Sequence, residues 1–511
     1  MFGAIENASR LIALVRILAR HDALFPLVAF GPPPWVLGVV RRLSRSGVPG
    51  RPGQRLAAAP QEMGPSFIKL GQSLSTRPDL IGPAVAHDLA GLRDRLPPFG
   101  VSTAKTEIRR AFAQEPEALF ARFDAKPLAA ASIAQVHRAE TSDGRAVAVK
   151  VLRPGIEGQF QRDLAFFAWL AATVERSMPA LRRLRPRAVV ETFAASVALE
   201  MDLRLEAAAA SELAENFAGD PTFEVPVVDW LRTERRVFTA SYVGGVPIGD
   251  RAALIAAGND LEQVVANLFR AFLHQVFRDG FFHADLHHGN LFVASDNHIV
   301  AVDFGIMGRL DRANRRFVAE LLLAFLTGDY RRAADVHFEA GYVPASQSRD
   351  TFMQACRSIG EPIFGRPAHE VSIGRLLAQL FQITETFAME TQPQLLLLQK
   401  TLVVIEGVAR TLDPNANLWE IAKPVLATHV GAALGPEAAL RDGIAEASAF
   451  ARRLPRLVEK AETAAQLLSH DGIKLHPDTA RAIAAEQERR RRPWQIAVVV
   501  AMLALIALLA L

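Results

Sequence analysis

Residues 281–293 (FFHADLHHGNLFV) concentrate side chains that can bind a metal ion or move a proton. His283 and Asp285 form an H-x-D pair, which occurs in iron sites built from two histidines and one carboxylate. His283 and His287 are four residues apart, as zinc ligands on a helix would be. In a third interpretation the histidines, including His288, only stabilise a loop through hydrogen bonds. We favour this last interpretation because neither metal site accounts for the residues that follow.

Asp285 and Asn290 are five residues apart, and Asp303 begins the tripeptide "DFG" thirteen residues later. The first spacing is that of the aspartate and the asparagine in the catalytic loop of protein kinases. Carboxylate and amide oxygens are hard ligands that suit Mg²⁺. Asn290 and Asp303 are therefore candidate metal ligands, and Asp285 is a candidate to accept a proton or orient the phosphoryl acceptor.

Lys150 lies in the segment "VAVKV". A lysine on a strand in a V-A-x-K context matches the phosphate-binding lysine of protein kinases. Alone, such a lysine is more often a surface charge. In order along the chain with Asp285, Asn290 and Asp303, it indicates a site for Mg-ATP.

The elements that must position these residues follow from periodicity. Residues 133–138 and 146–151 alternate with period two around the turn "SDG", which predicts a β-hairpin carrying Lys150. A second short hairpin is predicted at 290–305. Residues 102–123 and most of 163–217 are predicted to be helical, as is the chain from residue 311 to 485.

Composition sets the class of protein. The chain has 511 residues, half of them hydrophobic and 22% charged, which indicates several folded units and excludes a disordered chain. Its one cysteine, Cys356, excludes an internal disulfide framework. Basic residues dominate the first 56 positions, but they are not interleaved with aromatic residues, so we expect no nucleic-acid partner.

The two ends of the chain differ in character. Residues 496–511 are entirely apolar, and the stretch from Trp494 follows four arginines, which predicts a single transmembrane anchor at 494–511 that leaves the bulk of the protein in the cytoplasm. Near the N-terminus, Leu11, Leu14, Val15 and Leu18 have helical spacing among arginines. This amphipathic helix either lies on a membrane or packs on the next domain.

Together these motifs resemble the UbiB/ADCK group of atypical kinases, which is linked to ubiquinone biosynthesis. The resemblance covers nearly the whole chain and includes a C-terminal signature, EGVARTLDPNANLWE, at 406–420. This sequence departs from the group at three points. His288 stands where proline is usual, and "TASYVGG" lacks the acidic residue expected near Ser241. One membrane span is expected here, whereas relatives can have two. The other hallmarks are KLGQ (69–72), AAAS (129–132), EMD (200–202), HADLHHGN (283–290) and DFG (303–305).

The resemblance implies a protein-kinase-like, bilobal α+β fold that is mostly helical. The domains expected from it are listed here: a basic amphipathic segment (1–56), a KxGQ helical extension (57–126), an N-lobe (127–250), a C-lobe (251–430), a helical C-terminal region (431–493) and a transmembrane anchor (494–511).

The resemblance also implies roles for individual residues. Lys69 and Gln72 of the extension lie over the active site, where a protein substrate would otherwise dock, and Glu200 and Asp202 are the expected partners of Lys69. Glu206 is expected to pair with Lys150, with Glu200 as the alternative. Nucleotide contacts are expected from the segment that replaces the usual glycine-rich loop, namely Ala129, Ala130, Ala131 and Ser132. Alanine methyl groups restrict the backbone there, which should alter nucleotide selection or pose.

The implied function is that of an ATPase or small-molecule kinase that uses ATP and Mg²⁺ at the bacterial inner membrane, in contact with membrane lipids, quinone precursors and ubiquinone biosynthetic enzymes. Two alternatives from other classes are a protein kinase acting in trans and a nucleotide-gated scaffold for those enzymes. A component of the polyprenylphenol hydroxylation step is a further alternative, although the chain has no G-x-G-x-x-G after a strand for a flavin. The sequence does not predict the phosphoryl acceptor or the oligomeric state.

Overall fold

A computed structural model describes residues 2–25, 47–75, 81–89, 96–177, 185–361 and 392–434, together with a few single positions between these segments. The chain divides into two compact units, Met1–Val430 and Gly431–Leu511. The fold below is that of the first unit.

Helices account for most of the described residues. They are Phe2–Arg20 (α1), Pro52–Met63 (α2), Pro65–Ser75 (α3), Pro83–Leu89 (α4), Val101–Phe112 (α5), Pro116–Leu119 (α6), Ile156–Ser177 (α7), Pro186–Glu200 (α8), Leu203–Asn216 (α9), Arg251–Ala256 (α10), Leu261–Leu273 (α11), Arg312–Thr327 (α12), Tyr330–Glu339 (α13), Arg349–Gly360 (α14), Pro393–Leu412 (α15) and Leu418–Leu434 (α16).

Within the described segments, short strands build three sheets. They are Phe120–Phe123 (β1), Ala129–Ala130 (β2), Ala134–Thr141 (β3), Ala146–Leu152 (β4), Phe223–Glu224 (β5), Val237–Ser241 (β6), Val246–Pro247 (β7), Phe281–His283 (β8), Leu291–Val293 (β9), Ile299–Ala301 (β10) and Met307–Arg309 (β11).

The first sheet is antiparallel and has the order β1-β3-β4-β6, with β2 also pairing with β3. The predicted hairpin is present as β3 and β4, and Gly144 in its turn has a φ of 83° that glycine adopts without strain. Val147, Val149 and Val151 of β4 are buried in a small core, so the alternate residue Lys150 points to the other face of the sheet.

The helix predicted at 102–123 is shorter in the structure. Helix α5 ends at Phe112, and Ala113 has a left-handed φ of 53°. Phe120 then starts β1 and is buried against the same core as Val147 and Val149. Tertiary packing of Phe120 therefore decides between strand and helix here, and the sheet begins inside the segment expected to be the helical extension.

The second sheet has the order β5-β10-β9-β7, in which only the β5–β10 pair is parallel. It contains the second predicted hairpin, β9 and β10. A separate ribbon pairs β8 with β11. These strands lie among helices in one large apolar core, and the two hairpin-like pairs bracket residues 284–290 and 302–306, which carry the predicted catalytic and metal-binding residues.

The amphipathic N-terminal helix packs on the protein, which is the second of the two alternatives given above. Helix α1 contacts α2 and α7, Leu11 and Leu14 pack against the large core, and Arg10 forms an ion pair with Asp163.

The expected localisation at the bacterial inner membrane through a C-terminal single-pass anchor is contradicted by the structure. In the part of the chain that the structure describes, no helix is both long and apolar enough to cross a membrane. The long apolar helices α15 and α16 bury residues such as Leu402 and Trp419 in the protein core instead. Residues 494–511, on which the anchor was predicted, lie outside the described residues, as does nearly all of the expected C-terminal region 431–493.

Candidate functional site

Lys150 joins two carboxylates from distant parts of the chain. Its Nζ lies 2.7 Å from Glu206 Oε1 and 3.1 Å from Asp303 Oδ1. Strand β4 fixes the position of Lys150 between Val136 of β3 and Phe238 of β6. Of the two expected partners of Lys150, Glu206 forms the ion pair, whereas Glu200 pairs with Lys69.

Helix α9 places Glu206. The carboxylate of Asp202 caps its N-terminus by accepting a hydrogen bond from the backbone N–H of Arg204. Glu206 follows in the first turn and is almost completely buried. The cap therefore determines where α9 begins, and with it the direction from which Glu206 reaches the sheet.

The charges of this cluster affect one another strongly. Burial opposes a charge on Lys150, but the charges of Asp303 and Glu206 outweigh burial and raise the pKa of its ammonium group. The Lys150 charge holds the pKa of Asp303 well below its ordinary value. Burial raises the pKa of Glu206 to about 7, although Lys150 acts in the opposite direction. At neutral pH Asp303 and Lys150 are therefore ionised, and Glu206 binds a proton more tightly than a free carboxyl group does.

Asp303 and Asn290 are held side by side by the backbone. The N–H of Val302 donates a hydrogen bond to the carbonyl of Asn290, and Asp303 itself has a left-handed φ of 65°. This conformation is uncommon for a residue with a side chain, and it marks a strained position that the surrounding structure maintains.

The donor set of these two residues fits Mg²⁺. The amide nitrogen of Asn290 donates to the carbonyl of Asp285 at 3.1 Å, so its amide oxygen is the atom that can turn to a cation. The side chain of Asp303 is 48% exposed, so its carboxylate is accessible to a ligand. Asn290 and Asp303 are thus the residues that could hold the metal.

The histidines shape the loop between β8 and β9. His283 is fully buried, and its Nδ1 accepts a hydrogen bond from the N–H of Asp285 at 3.1 Å while its Nε2 faces the carbonyl of Val302 at 3.3 Å. Burial also lowers the pKa of His283, which keeps the ring neutral. His287 Nδ1 accepts from the N–H of Gly289 at 2.9 Å. These bonds occupy both ring nitrogens of His283, which favours the loop-stabilising interpretation over an iron or zinc site.

Asp285 has a neighbour that the sequence did not suggest. Lys400 Nζ, on helix α15, lies 3.1 Å from Asp285 Oδ1, and His287 Nε2 lies 3.7 Å from Oδ2. No spacing or motif links Lys400 to Asp285, because the two residues are 115 positions apart.

The KxGQ segment lies on helix α3. Lys69 forms an ion pair with Glu200 at 2.8 Å, and Phe67 packs edge-on against Phe167 of α7 with ring centroids 4.9 Å apart. Lys69 also helps to lower the pKa of Asp303, so the extension lies within electrostatic reach of the site.

Asp202 and Gln72 are two further residues that were expected to act together with Lys69. Asp202 pairs at 2.7 Å with Arg204, two residues along the chain, because it serves as the cap of α9. The partner shown for Asp202 is therefore local, whereas Lys69 pairs with its other expected partner, Glu200. Gln72 lies one turn after Lys69 on the same face of α3 and is partly buried.

The alanine segment is only partly a loop. Ala129 and Ala130 form the short strand β2 on β3, and a tight turn follows in which the N–H of Ala131 donates to Ala134 at 2.8 Å. The guanidinium group of Arg153 donates to the Ala131 carbonyl at 2.8 and 3.1 Å, while Ser132 is fully buried. The register across β2, β3 and β4 aligns Ala129 with Val136 and Lys150, so Ala129 and Lys150 share one face of the sheet.

Comparisons with known proteins identify the family of this chain. Residues 91–337 match the model of the ABC1 atypical kinase-like domain, and residues 356–417 match that of the UbiB helical domain. The chain is similar to a probable protein kinase UbiB of Xylella fastidiosa (strain M23), with 41% identity over 84% of this chain and 78% of that protein. It is also similar to a probable protein kinase UbiB of Xanthomonas campestris pv. campestris (strain B100), with 44% identity over 80% of this chain and 75% of that protein.

Among solved structures, the complex of Rv3197 with erythromycin from Mycobacterium tuberculosis matches with a TM-score of 0.48 and 24% identity, over 72% of this chain and 94% of that one. The extent and identity of the sequence matches show that the chain belongs to the UbiB family of ABC1 atypical kinases.

Proposed function

We propose that this protein binds Mg-ATP and either hydrolyses it or transfers its γ-phosphoryl group to a small molecule, in support of ubiquinone biosynthesis. The single observation that carries the proposal is the cluster of Lys150 with Glu206 and Asp303, at 2.7 and 3.1 Å. In kinases such a lysine binds phosphate, a glutamate of the neighbouring helix orients it, and the "DFG" aspartate binds the metal.

The residues divide the chemistry between them. Lys150 would bind phosphate oxygens, and Asn290 and Asp303 would hold Mg²⁺. A bound Mg²⁺ ion would neutralise the charge of the phosphates. Asp285 orients the attacking hydroxyl group and accepts its proton. The hydroxyl oxygen forms a bond to the γ-phosphorus as the bond from that phosphorus to the bridging oxygen breaks, and ADP leaves.

The same geometry favours a small acceptor or water over a protein substrate. The ion pair of Lys69 with Glu200 holds helix α3 against the end of α8. The charge of Lys69 also helps to lower the pKa of Asp303. A helix whose lysine lies within electrostatic reach of Asp303 would compete with a polypeptide substrate for the same space. Quinone precursors and the enzymes that modify them are the acceptor and the partners that the family membership suggests.

The proposal is tested by measuring ATP turnover of the purified full-length protein with Mg²⁺, with and without a quinone-precursor analogue. Asp285→Asn, which removes the proton acceptor and keeps the shape of the side chain, should lower turnover by about 10²-fold or more. Asp296→Asn, at an exposed aspartate in the turn between β9 and β10, is the matched control and should behave as the parent.

Three results would be informative. Turnover that depends on Asp285 supports the proposed chemistry. Equal turnover by the parent and Asp285→Asn contradicts the role of Asp285. Tight Mg-nucleotide binding without turnover in any condition contradicts phosphoryl transfer and favours the nucleotide-gated scaffold.

A further inference from the structure

Helix α15 reaches the candidate active site from outside the kinase-like domain. The ABC1 match ends at residue 337, whereas α15 falls within the match to the UbiB helical domain at 356–417. From this helix, Lys400 Nζ lies 3.1 Å from Asp285 Oδ1.

The position of Lys400 is set by the packing of its helix. Leu398, Thr401, Leu402 and Ile405 are buried, and α15 contacts α11 and β11. Lys400 lies between these buried positions, and its side chain is only 33% exposed. The pair is therefore placed by the core of the protein, unlike a surface ion pair between two mobile side chains.

Positive charge at Asp285 has a specific value in phosphoryl transfer. Negative charge builds up on the transferred group and its oxygens, and preorganised cations stabilise it because they need not reorient during the reaction. Lys400 brings such a cation to Asp285, the residue that would orient the acceptor.

We infer that Lys400 is a positioning residue for phosphoryl transfer, which holds the Asp285 carboxylate in place for the acceptor and adds positive charge beside it. The UbiB helical domain is then part of the catalytic unit and not an appendage to it. This inference rests on the proposed function.

A first experiment separates binding from turnover. Lys400→Met removes the charge and keeps most of the apolar stem, and Lys400→Arg keeps the charge. Lys423→Met, at an exposed lysine of α16, is the matched control. We expect Lys400→Met to lower kcat for ATP turnover by about 10-fold or more, with KM for ATP, Mg-ADP affinity and the thermal unfolding midpoint close to those of the parent. Lys400→Arg should retain more of kcat, and Lys423→Met all of it.

Equal kcat for Lys400→Met and the parent would overturn the inference. A loss of kcat accompanied by an equal loss of Mg-ADP affinity, or by a lower unfolding midpoint, would also overturn it, because the role of Lys400 would then be structural. If the parent itself shows no turnover, the proposed function fails, and the role of Lys400 fails with it.

A second experiment restores the amine chemically. In Lys400→Cys, the new thiolate displaces bromide from 2-bromoethylamine and forms a thioether that ends in a primary amine, nearly isosteric with lysine. The chain has a single native cysteine, Cys356, which is fully buried, and burial raises the pKa of its thiol to about 12. Alkylation should therefore be confined to position 400.

We expect Lys400→Cys to have low kcat and to recover by about 10-fold on alkylation, while the parent is unaffected by the reagent. Complete alkylation by mass spectrometry without any recovery of kcat would overturn the inference.

Discussion

The cluster around Lys150 makes a pH-dependent prediction that Glu206→Gln tests directly. The substitution removes the charge of a carboxyl group that is almost fully buried, and it keeps the shape of the side chain and its ability to accept a hydrogen bond from Lys150. Asp303 remains as a partner for the ammonium group at 3.1 Å. The variant should therefore fold, and its stability should differ from that of the parent mainly through ionisation of Glu206.

The magnitude follows from the pKa of Glu206, which burial raises from 4.5 to about 7 in the folded protein. A raised carboxyl pKa means that the folded state binds the proton more tightly than the unfolded state does. Its contribution to stability is fully present below pH 4.5 and is lost as the pH rises through 7. A difference of this size corresponds to about 3 kcal/mol of unfolding free energy, as an upper bound.

The assay is the thermal unfolding midpoint of the nucleotide-free protein, measured from pH 5 to pH 8. Relative to the parent, Glu206→Gln should gain stability as the pH rises, because the glutamine has no charge to bury. Glu215→Gln, an exposed position on the same helix, is the control and should follow the parent at every pH. A difference between Glu206→Gln and the parent that is constant, or that changes in the opposite direction, would refute the assignment of a raised pKa to Glu206.

Two further predictions concern the backbone around the site. Ala131→Gly should change the affinity for Mg-ATP or Mg-ADP several-fold without unfolding the protein, since Ala131 lies in the turn expected to approach the phosphates. Ala125→Gly, at an exposed position, is the control and should leave the nucleotide affinity unchanged. Identical calorimetric affinities for Ala131→Gly and the parent would show that the turn does not touch nucleotide. Gly308→Ala should destabilise the protein by about 1–3 kcal/mol, because the added Cβ would clash with the buried ring of Phe282. Combining Gly308→Ala with Phe282→Leu should cost less stability than the sum of the two single losses, because the smaller side chain relieves the clash. Denaturant titration of the three variants measures this, and fully additive losses would argue against the clash.

Much of the site could be predicted because its residues lie on locally encoded elements. The alternation of residues 133–151 and the turn at Gly144 predict the hairpin that carries Lys150, and the second hairpin is equally local. The family pattern then indicates that Glu206 pairs with Lys150, although the two are 56 residues apart. The contact of Lys150 with Asp303, 153 residues away, was not predicted.

The structure departs from the sequence-based expectation for two reasons, distant packing and local helix capping. Strand β1 is too short for periodicity to distinguish it from a helix, and the burial of Phe120 fixes its state. Asp202 was expected to meet Lys69, but the unsatisfied N–H groups at the start of α9 provide a nearer partner. Lys400 has no local signal, because its proximity to Asp285 results from the packing of a helix far along the chain.

The central claim, that this is a site for Mg-nucleotide, is tested most directly by calorimetry of Mg-ADP binding to the full-length protein and to Asp303→Asn. The control is Asp296→Asn, at an exposed aspartate in the turn of the same β9–β10 hairpin. We predict Mg²⁺-dependent binding by the parent and by Asp296→Asn, and a loss of about 10-fold or more in affinity for Asp303→Asn, because a carboxylate ligand of the metal is removed. Absence of Mg²⁺-dependent binding by the parent, or unchanged affinity in Asp303→Asn, would contradict the account.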